Sequence, residues 1–443
     1  MVPDYSEEKN CRQKLRFPIE FYFLGLFILF ISFFYFLKLG QVPFHPDEST
    51  QIFMSGDLEE FFENPAGLIW KQNIPVESRM NYRMLDAPLA RELIGVLRMV
   101  ASYNALPVDW NWSKSWQENK EAGALPSGGL LVVSRMASAI FFPFDLFFLY
   151  LIGRKFRGKS LGWIMVVLFS VNALVLLHTR RAMSEGSLVF FIILSIWCIL
   201  QNPKYLILIA IPAAFAFNAK YSAFPLFLLG LFTIVFRNWG ILQNLKKIIL
   251  HSIAFILVFL LITYILNPFL WGNPVQSIVV AIQARQELLI RQVTELGDIK
   301  PGWILDSPIK RFAGLLVNLF LAPPAFYDVG NYIQETSASE LKYLLSPFAS
   351  LFRGYIGGSI FLLLAVSGFL FGIFGYREIS NDRKQYLVIL AVGTILQSIF
   401  LLLAFPFPFQ RYIIPLVPFS IIWVALAVDV LINSIKTKTI RIA

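Results

Sequence analysis

Charged residues are scarce in this chain of 443 residues. Only 15% of the residues are Asp, Glu, Lys or Arg, whereas 57% are hydrophobic and 44 are Phe. Soluble domains carry about 25% charged residues, so this balance excludes an ordinary soluble fold. The apolar residues are grouped in runs of about 20, the length that crosses a hydrocarbon core. The composition therefore predicts an integral membrane protein.

Cysteine and histidine are almost absent. The two cysteines, Cys11 and Cys198, cannot build a disulfide framework and do not indicate a redox compartment. The three histidines have none of the paired spacing of a zinc motif. His251 lies near the start of an apolar run and is expected to be structural. His45 and His178 lie on the same predicted side as the carboxylates described below, where either could complete a carboxylate–histidine metal site.

The net charge of +10 reflects basic residues that are spread among short segments between apolar runs. These segments are 9–16, 154–159, 237–247, 377–384 and 436–441. Lys and Arg on short loops are the usual signal for the cytoplasmic side of a membrane. We therefore expect these segments and both termini on that side, and no nucleic-acid partner.

Ten apolar segments predict an all-α polytopic membrane protein with about ten transmembrane helices. They lie near 17–38, 129–152, 160–178, 185–201, 205–219, 222–236, 248–266, 356–375, 385–405 and 412–433. The first has a long apolar core and no small-residue cleavage site, so it is read as an uncleaved helix. Only a short tail follows the last. We expect one transmembrane domain over 1–443 with no C-terminal soluble domain.

Two long segments, 39–128 and 267–355, are predicted to face the outer compartment. Apolar residues recur at helical spacing near 54–62, 89–100 and 278–293, which favours helices lying in the membrane interface. The apolar run at 312–322 is too short to span and is predicted to be interfacial or re-entrant. Three tryptophans fit anchors at headgroup level, namely Trp110, Trp112 and Trp116.

Two adjacent carboxylates, Asp47 and Glu48, follow the first span at a predicted membrane surface. Pro46 predicts a helix start, and acidic residues in a first helical turn favour the positive end of its dipole. That structural interpretation competes with a catalytic one, in which a carboxylate acts as general base or metal ligand. Asp86 repeats the arrangement, because an acid and Pro88 again precede an amphipathic helix.

Charged residues also lie within the spans or at their ends on the long-loop side. They are Arg135, Arg180, Arg181, Glu185, Lys220 and Arg411, the last followed by Tyr412. Snorkelling to headgroups, or an ion pair of Arg180 or Arg181 with Glu185, would explain them structurally. As a set, the cations could instead bind the headgroup of an anionic lipid, because a phosphate requires several donors.

Six short motifs in order over about 40–420 resemble the GT-C glycosyltransferases, which are polytopic enzymes that use polyprenyl-phosphate sugars. The motifs are His45-Pro46-Asp47-Glu48, Asp86-Ala87-Pro88-Leu89, Arg135-Met136-Ala137-Ser138, Arg180-Arg181-Ala182-Met183-Ser184-Glu185, Asn218-Ala219-Lys220-Tyr221 and Arg411-Tyr412-Ile413-Ile414-Pro415-Leu416-Val417-Pro418. Within that class the sequence is most similar to the branch of protein O-mannosyltransferases and the aminoarabinose transferase of lipid A. It departs from that branch in lacking the double-proline form of the second motif and a C-terminal soluble domain. Both departures concern the acceptor more than the chemistry.

The resemblance implies a role for each matched residue. Asp47, with Glu48, would be the catalytic base, and Asp47, Asp86 and His45 would hold a divalent metal ion. The substrate-binding residues would be Asp86, Arg135, Arg180, Arg181, Glu185, Lys220, Arg411 and Tyr412. The donor would be a polyprenyl-phosphate sugar, and its sugar would pass with inversion to a hydroxyl of an unknown lipid, glycan or protein.

The same resemblance implies a multi-pass protein of the plasma membrane with its site on the outer face. A compact chain without a retrieval signal favours a bacterial plasma membrane over the endoplasmic reticulum. A transporter or lipid flippase is the alternative, since membrane acids and cations also serve ion coupling. Against it, the ionisable residues gather at one face and not at the bilayer midplane. An assembly scaffold is a third interpretation, in which neutralising Asp47 would be harmless.

Overall fold

The computed structural model describes residues 18–72, 78–201, 207–238, 245–326, 330–375 and 381–442. Within these ranges the regular structure is entirely helical, and no strand occurs. The predicted all-α class is therefore confirmed. Cys11, the cations at 9–16 and parts of the basic segments at 237–247 and 377–384 lie outside the described residues.

The described ranges contain 21 α-helices, together with several short 3₁₀-helices and one π-helix. The first eight are α1 (Ile19–Leu37), α2 (Pro46–Met54), α3 (Asp57–Glu63), α4 (Ser78–Leu85), α5 (Leu89–Val100), α6 (Trp116–Glu121), α7 (Gly128–Ala139) and α8 (Phe142–Arg157). The next six are α9 (Lys159–Ser170), α10 (Ala173–His178), α11 (Glu185–Ile199), α12 (Ala210–Ala219), α13 (Pro225–Asn238) and α14 (Leu245–Leu266). The last seven are α15 (Pro274–Ile299), α16 (Pro308–Leu316), α17 (Ile333–Leu344), α18 (Gly354–Phe374), α19 (Asn381–Ala404), α20 (Gln410–Ile413) and α21 (Val417–Ile442).

Seven helical segments of the described chain are long and apolar enough to cross a membrane. They are Ile19–Leu37, Gly128–Arg157, Tyr221–Asn238, Leu245–Leu266, Gly354–Phe374, Asn381–Ala404 and Gln410–Ile435. Three shorter apolar helices are Lys159–Ser170, Glu185–Ile199 and Ile207–Ala219. Each of the ten overlaps one predicted apolar segment. This is the architecture of an integral membrane protein.

Burial distinguishes the central helices from the peripheral ones. In an apolar stretch of 18 residues within Gln410–Ile435, 89% of the residues are buried. In the corresponding stretch of Leu245–Leu266 the share is 17%. The last span therefore runs through the helix bundle, and α14 presents most of its apolar side chains outward. An outward apolar face is stable only against lipid, because in water it would leave a large hydrophobic surface exposed.

Glycines permit the close packing of α8 on α9. Gly158 joins them with a φ of +107°, a conformation that strains any other residue. A Cβ atom on Gly153 would lie 2.6 Å from the Cα of Gly162, so any larger residue would separate the helices. Small residues at such crossings let helix backbones approach within a membrane.

The two long segments, 39–128 and 267–355, contact each other, and we call the side on which they lie the loop side. The indole Nε1 of Trp110 donates to Oδ1 of Asn331 at 3.3 Å. Trp110 is only 2% exposed, so its prediction as a headgroup anchor is wrong: it packs inside the junction of the two segments. Packing between loops distant in sequence is invisible to local hydrophobicity.

Candidate functional site

Helix α2 begins at the acidic motif. His45 is its N-cap, and the backbone N–H of Asp47 donates to Nδ1 of His45 at 3.1 Å. The backbone N–H of His45 donates in turn to Oε2 of Glu48 at 3.1 Å. This reciprocal arrangement fixes the first turn of the helix. Asp47 and Glu48 are adjacent in sequence, and they point to different surroundings.

Glu48 is fully buried in an ion pair with Arg135 of α7. Nε and Nη2 of Arg135 donate to the two carboxylate oxygens at 2.8 Å each, and the backbone N–H of Ala182 donates to Oε1 at 2.8 Å. Nη1 of Arg135 also donates to the carbonyl oxygens of Leu39 and Val42. Although burial alone would raise it, the Arg135 guanidinium holds the pKa of Glu48 below its usual value. Glu48 thus ties α2, α7 and the end of α1 together.

Asp47 faces the beginning of the last span. Its carboxylate is ion-paired with Nη1 of Arg411 and remains partly exposed. The carbonyl oxygen of Arg411 accepts a hydrogen bond from Nζ of Lys220 at 3.5 Å, and Lys220 is paired with the buried Glu185 at 2.7 Å. The cations of Lys220 and Arg411 each lie 5.3 Å from the ring centroid of Tyr412. The fold therefore assembles five of the predicted site residues.

Asp86 approaches this group from the end of α4. Nη1 of Arg285, on α15, lies 3.9 Å from its carboxylate. Desolvation raises the pKa of Asp86 above the usual carboxyl value; Arg285 opposes that shift and the charge of Asp47 adds to it. Asp47 and Asp86 thus lie close enough to repel each other. Arg285 was not among the predicted site residues, because one cation on an amphipathic helix gives no distinguishing signal.

A third carboxylate, Asp109, was also missed. Oδ1 accepts from Oγ1 of Thr50 at 2.7 Å, and Oδ2 accepts from the hydroxyl of Tyr82. Burial raises the pKa of Asp109, and these hydrogen bonds partly oppose the shift. The charge of Asp47 raises it further. We define the loop-side cluster as Asp47, Asp86, Asp109, Lys220, Arg285 and Arg411.

Arg180 and Arg181 contact the second long loop, and the charge of Arg181 also acts on Glu48. Nη2 of Arg180 donates to the hydroxyl of Tyr343 at 3.1 Å, and its guanidinium lies 5.3 Å from the ring centroid of Tyr35. Nη2 of Arg181 donates to the carbonyl oxygen of Phe326 at 2.7 Å. Both side chains are buried. Glu185, the ion-pair partner considered for either arginine, is paired with Lys220.

The residues predicted to hold a metal ion are only partly brought together. Nδ1 of His45 is occupied in capping α2, and the imidazole packs edge-on against Tyr332 at 5.7 Å between ring centroids. His178 is buried at the end of α10. In the described ranges, no three His, Cys, Asp or Glu side chains gather as a metal cluster. Asp47 and Asp86 remain as two of the predicted ligands whose charges interact.

A cavity of about 300 Å³ lies beside the cluster, between the first long loop and the end of α14. Its apolar walls include Leu58, Phe61, Leu93, Val96, Ile265 and Phe269. Its charged part consists of Asp57, Arg83, Arg91 and Glu92, and burial raises the pKa of Glu92 to about 7. The backbone carbonyl of Asp86 accepts a hydrogen bond from Nη1 of Arg91 at 3.4 Å. The charged part of the cavity therefore adjoins the cluster.

No protein-family model and no curated protein matches this sequence. Solved structures do match its fold. The oligosaccharyltransferase AglB from Archaeoglobus fulgidus, in complex with an inhibitory peptide and a dolichol-phosphate, aligns with a TM-score of 0.53 and 12% identity over 95% of this chain and 52% of that chain. The A. fulgidus oligosaccharyltransferase in complex with Zn and sulfate aligns with a TM-score of 0.52 and 14% identity, over 92% of this chain and 49% of that one.

The chain thus spans about half the length of these archaeal oligosaccharyltransferases. A weaker match, with a TM-score of 0.49 and 14% identity, is ArnT from Cupriavidus metallidurans bound to undecaprenyl phosphate, over 93% of this chain and 60% of that chain. At such low identities the two archaeal alignments establish similarity of fold alone. They confirm the predicted GT-C fold.

Proposed function

We propose that this protein is a membrane glycosyltransferase that moves a sugar from a polyprenyl-phosphate donor to an acceptor hydroxyl. The observation that carries the proposal is the contact chain from Asp47 through Arg411 to Lys220. It supplies a proton acceptor and phosphate-binding cations side by side, at one face of a GT-C fold. A fold alone does not determine a function, so the proposal depends on the residues of the site.

The cations of the cluster are suited to the donor phosphate. Arg411, Lys220 and Arg285 are each paired with a carboxylate, respectively Asp47, Glu185 and Asp86. A phosphate that binds Arg411 would replace Asp47 as its partner, because guanidinium groups bind phosphate oxygens in a bidentate manner. Donor binding would thereby release the Asp47 carboxylate for chemistry.

The cavity beside the cluster suits the apolar tail of the donor. Phe61, Val96 and Ile265 line it and are also exposed at the surface, so its mouth opens toward the lipid-facing side of α14. An isoprenoid chain would pack against these side chains through van der Waals contacts, since it enters from lipid and not from water. Arg91 and Glu92 lie where the chain would meet its polar head.

The reaction follows from these positions. Asp47 takes the proton of the acceptor hydroxyl as that oxygen attacks the anomeric carbon. The bond from this carbon to the phosphate oxygen breaks, and its electron pair remains on the departing polyprenyl phosphate. Arg411, Lys220 and Arg285 stabilise the negative charge that grows there. A single displacement opposite the leaving group inverts the anomeric configuration.

Several matched residues fit a supporting role better than contact with substrate. Glu48 and Arg135 form a buried ion pair with two hydrogen bonds. We therefore assign Glu48 to positioning α2 and not to the catalytic step. Arg180 and Arg181 hold Tyr343 and the Phe326 carbonyl, so we assign them to fixing the second long loop. Asp47 remains the proposed base.

The carboxylates of Asp47 and Asp86, whose charges interact, would hold a divalent cation. Mg²⁺ is commonly held by one or two carboxylates together with substrate phosphates and water, so two protein ligands are sufficient. When bound, such an ion would neutralise charge on the departing phosphate. The buried, capping geometry of His45 does not suit it as a third ligand.

The acceptor is a hydroxyl of a lipid, glycan or protein, and we place the loop side at the outer face of a plasma membrane. Helices α7 and α8 together form one span. The loop-side cluster lies near its start, and the basic turn into α9 lies at its end. This arrangement supports cytoplasmic termini under the positive-inside rule. Reacting a cysteine introduced at exposed Trp112 with an impermeant thiol reagent in intact cells tests this orientation. Labelling only after lysis would contradict it.

The proposed activity is tested with purified protein and a synthetic polyprenyl-phosphate sugar in detergent, with water as the acceptor hydroxyl, so that the sugar is released by hydrolysis. Wild-type protein should consume the donor and release the free polyprenyl phosphate, and Lys220→Ala should be strongly impaired. Wild-type turnover by Lys220→Ala would contradict the assigned role. A transporter or flippase would instead move lipid across a vesicle membrane without consuming the donor, and that result would refute the glycosyltransferase.

A further inference from the structure

Asp109 connects the two helices that carry the acidic motifs. Its Oδ1 accepts from Oγ1 of Thr50, on α2, at 2.7 Å, and its Oδ2 accepts from the hydroxyl of Tyr82, on α4. Thr50 lies three residues after Asp47, which places both on one face of α2. The carbonyl oxygen of Tyr82 accepts the backbone N–H of Asp86 at 2.8 Å. The Asp109 carboxylate thus binds Thr50, which lies near Asp47, and Tyr82, which lies near Asp86.

The segment that carries Asp109 is itself anchored. The backbone N–H of Trp110 donates to Oδ1 of Asp109 at 2.7 Å. The Trp110 indole is buried against Trp116 and Phe44, at 5.5 and 5.9 Å between ring centroids, and donates to Asn331. Asp109 therefore acts from a fixed base formed by both long loops. A mobile side chain could not set the position of two helices.

We propose that Asp109 is a positioning residue that sets the separation of Asp47 and Asp86 by hydrogen-bonding Thr50 and Tyr82 at the same time. This inference rests on the proposed function, in which both carboxylates face the reacting centre. Asp109 acts through its neighbours and not on the substrate. Its two oxygens satisfy three donors, which a smaller or apolar side chain cannot do.

Two substitutions separate this role from a role of the charge itself. Asn is nearly the same shape: its Oδ1 can accept from Thr50 and from the Trp110 backbone, and its Nδ2 can donate to the Tyr82 oxygen. Asp109→Asn should therefore keep kcat within about threefold of wild type. Asp109→Ala removes all three acceptor contacts and should lower kcat on the order of 100-fold, the effect of a displacement of about 1 Å, with the donor KM nearly unchanged.

Each neighbouring contact can also be removed singly. Thr50→Val and Tyr82→Phe each delete one hydrogen bond, and each should reproduce part of the kcat loss of Asp109→Ala. Glu118→Gln is the matched control, because Glu118 is an exposed acid of the same loop that bonds only Ser115. Wild-type kcat in Asp109→Ala, or an Asn variant as slow as the Ala variant, would overturn the proposal.

Hydrogen–deuterium exchange gives a readout that needs no activity and tells failure of this inference from failure of the proposed function. In Asp109→Ala, deuterium uptake should rise in both Pro46–Met54 and Ser78–Leu85, while Asp109→Asn and Glu118→Gln match wild type. Unchanged uptake in either segment would overturn the link. If wild-type protein consumes no donor yet both segments loosen, the glycosyltransferase assignment fails and the positioning link stands.

Discussion

Asp47 and Arg411 are 364 residues apart in the sequence and form an ion pair on the loop side. The contact brings the first turn after the first span against the start of the last span. Through the Arg411 carbonyl it extends to Lys220, at the C-terminal end of α12. In our account a donor phosphate takes over Arg411 and leaves Asp47 free, so this contact is the resting state of the site.

Glu48→Gln tests the separation of structural from catalytic roles. The change leaves Arg135 buried without a compensating charge, and breaking a buried pair in this way costs about 3–5 kcal/mol. We expect a clear fall in the thermal unfolding temperature measured in detergent, with activity lost in parallel. Glu118→Gln serves again as the exposed control. An unchanged unfolding temperature together with abolished turnover would assign Glu48 to the chemistry instead.

Arg285→Ala tests the phosphate-binding set without disturbing the interior. Arg285 is 46% exposed, so its loss should leave stability unchanged while donor KM rises about tenfold, the loss of one charge-assisted contact. Arg291→Ala, on the same helix α15 and 66% exposed, is the matched control. Steady-state kinetics with varied donor concentration give the comparison. Equal KM values in the two variants would remove Arg285 from the set.

Val96→Trp tests whether the cavity holds the donor tail. Val96 lines the cavity, and an indole there fills the space that the isoprenoid chain would occupy. Donors with long chains should lose about tenfold in kcat/KM, because the indole occupies the space that their chains would fill, and donors with very short chains should lose little. Val100→Trp, one turn further along α5 and 79% exposed, is the control. The same chain-length profile in both variants would contradict the assignment.

Glu92 gives a prediction for pH. Burial raises its pKa from 4.5 to about 7; Arg91 lowers it in part, and Asp57 adds to the rise. The folded protein therefore binds this proton more tightly than the unfolded chain, so the stabilisation is complete below about pH 4.5 and disappears as the pH rises through about 7. Relative to wild type, Glu92→Gln should gain unfolding temperature between pH 5 and pH 8. A difference that stays constant over this range would contradict the shift.

The spans could be predicted because hydrophobicity is a local property of the sequence. Each predicted apolar segment corresponds to an apolar helix. Seven of these helical segments are long enough to cross a membrane. Asp47, Lys220 and Arg411 could be selected for a similar reason, since charge at the end of an apolar run is visible without coordinates. What the sequence could not give was the partner of each charge.

Partners depend on packing between distant segments. Glu185 pairs with Lys220, which is 35 residues away in the sequence, because α11 and α12 pack side by side. Asp109 lies in a loop with no periodicity, so nothing local distinguishes it from a solvated acid. Its importance arises from the meeting of α2, α4 and the second long loop, which is a property of the fold.

The most direct measurement compares Asp47→Asn with wild type in donor binding and in donor consumption. Binding of a labelled polyprenyl-phosphate sugar should be retained, because the Asn amide leaves Arg411 available to the phosphate. Release of free polyprenyl phosphate should fall by about 10²–10⁴-fold, the usual contribution of a general base. Donor consumption at the wild-type rate by Asp47→Asn would contradict the account at its centre.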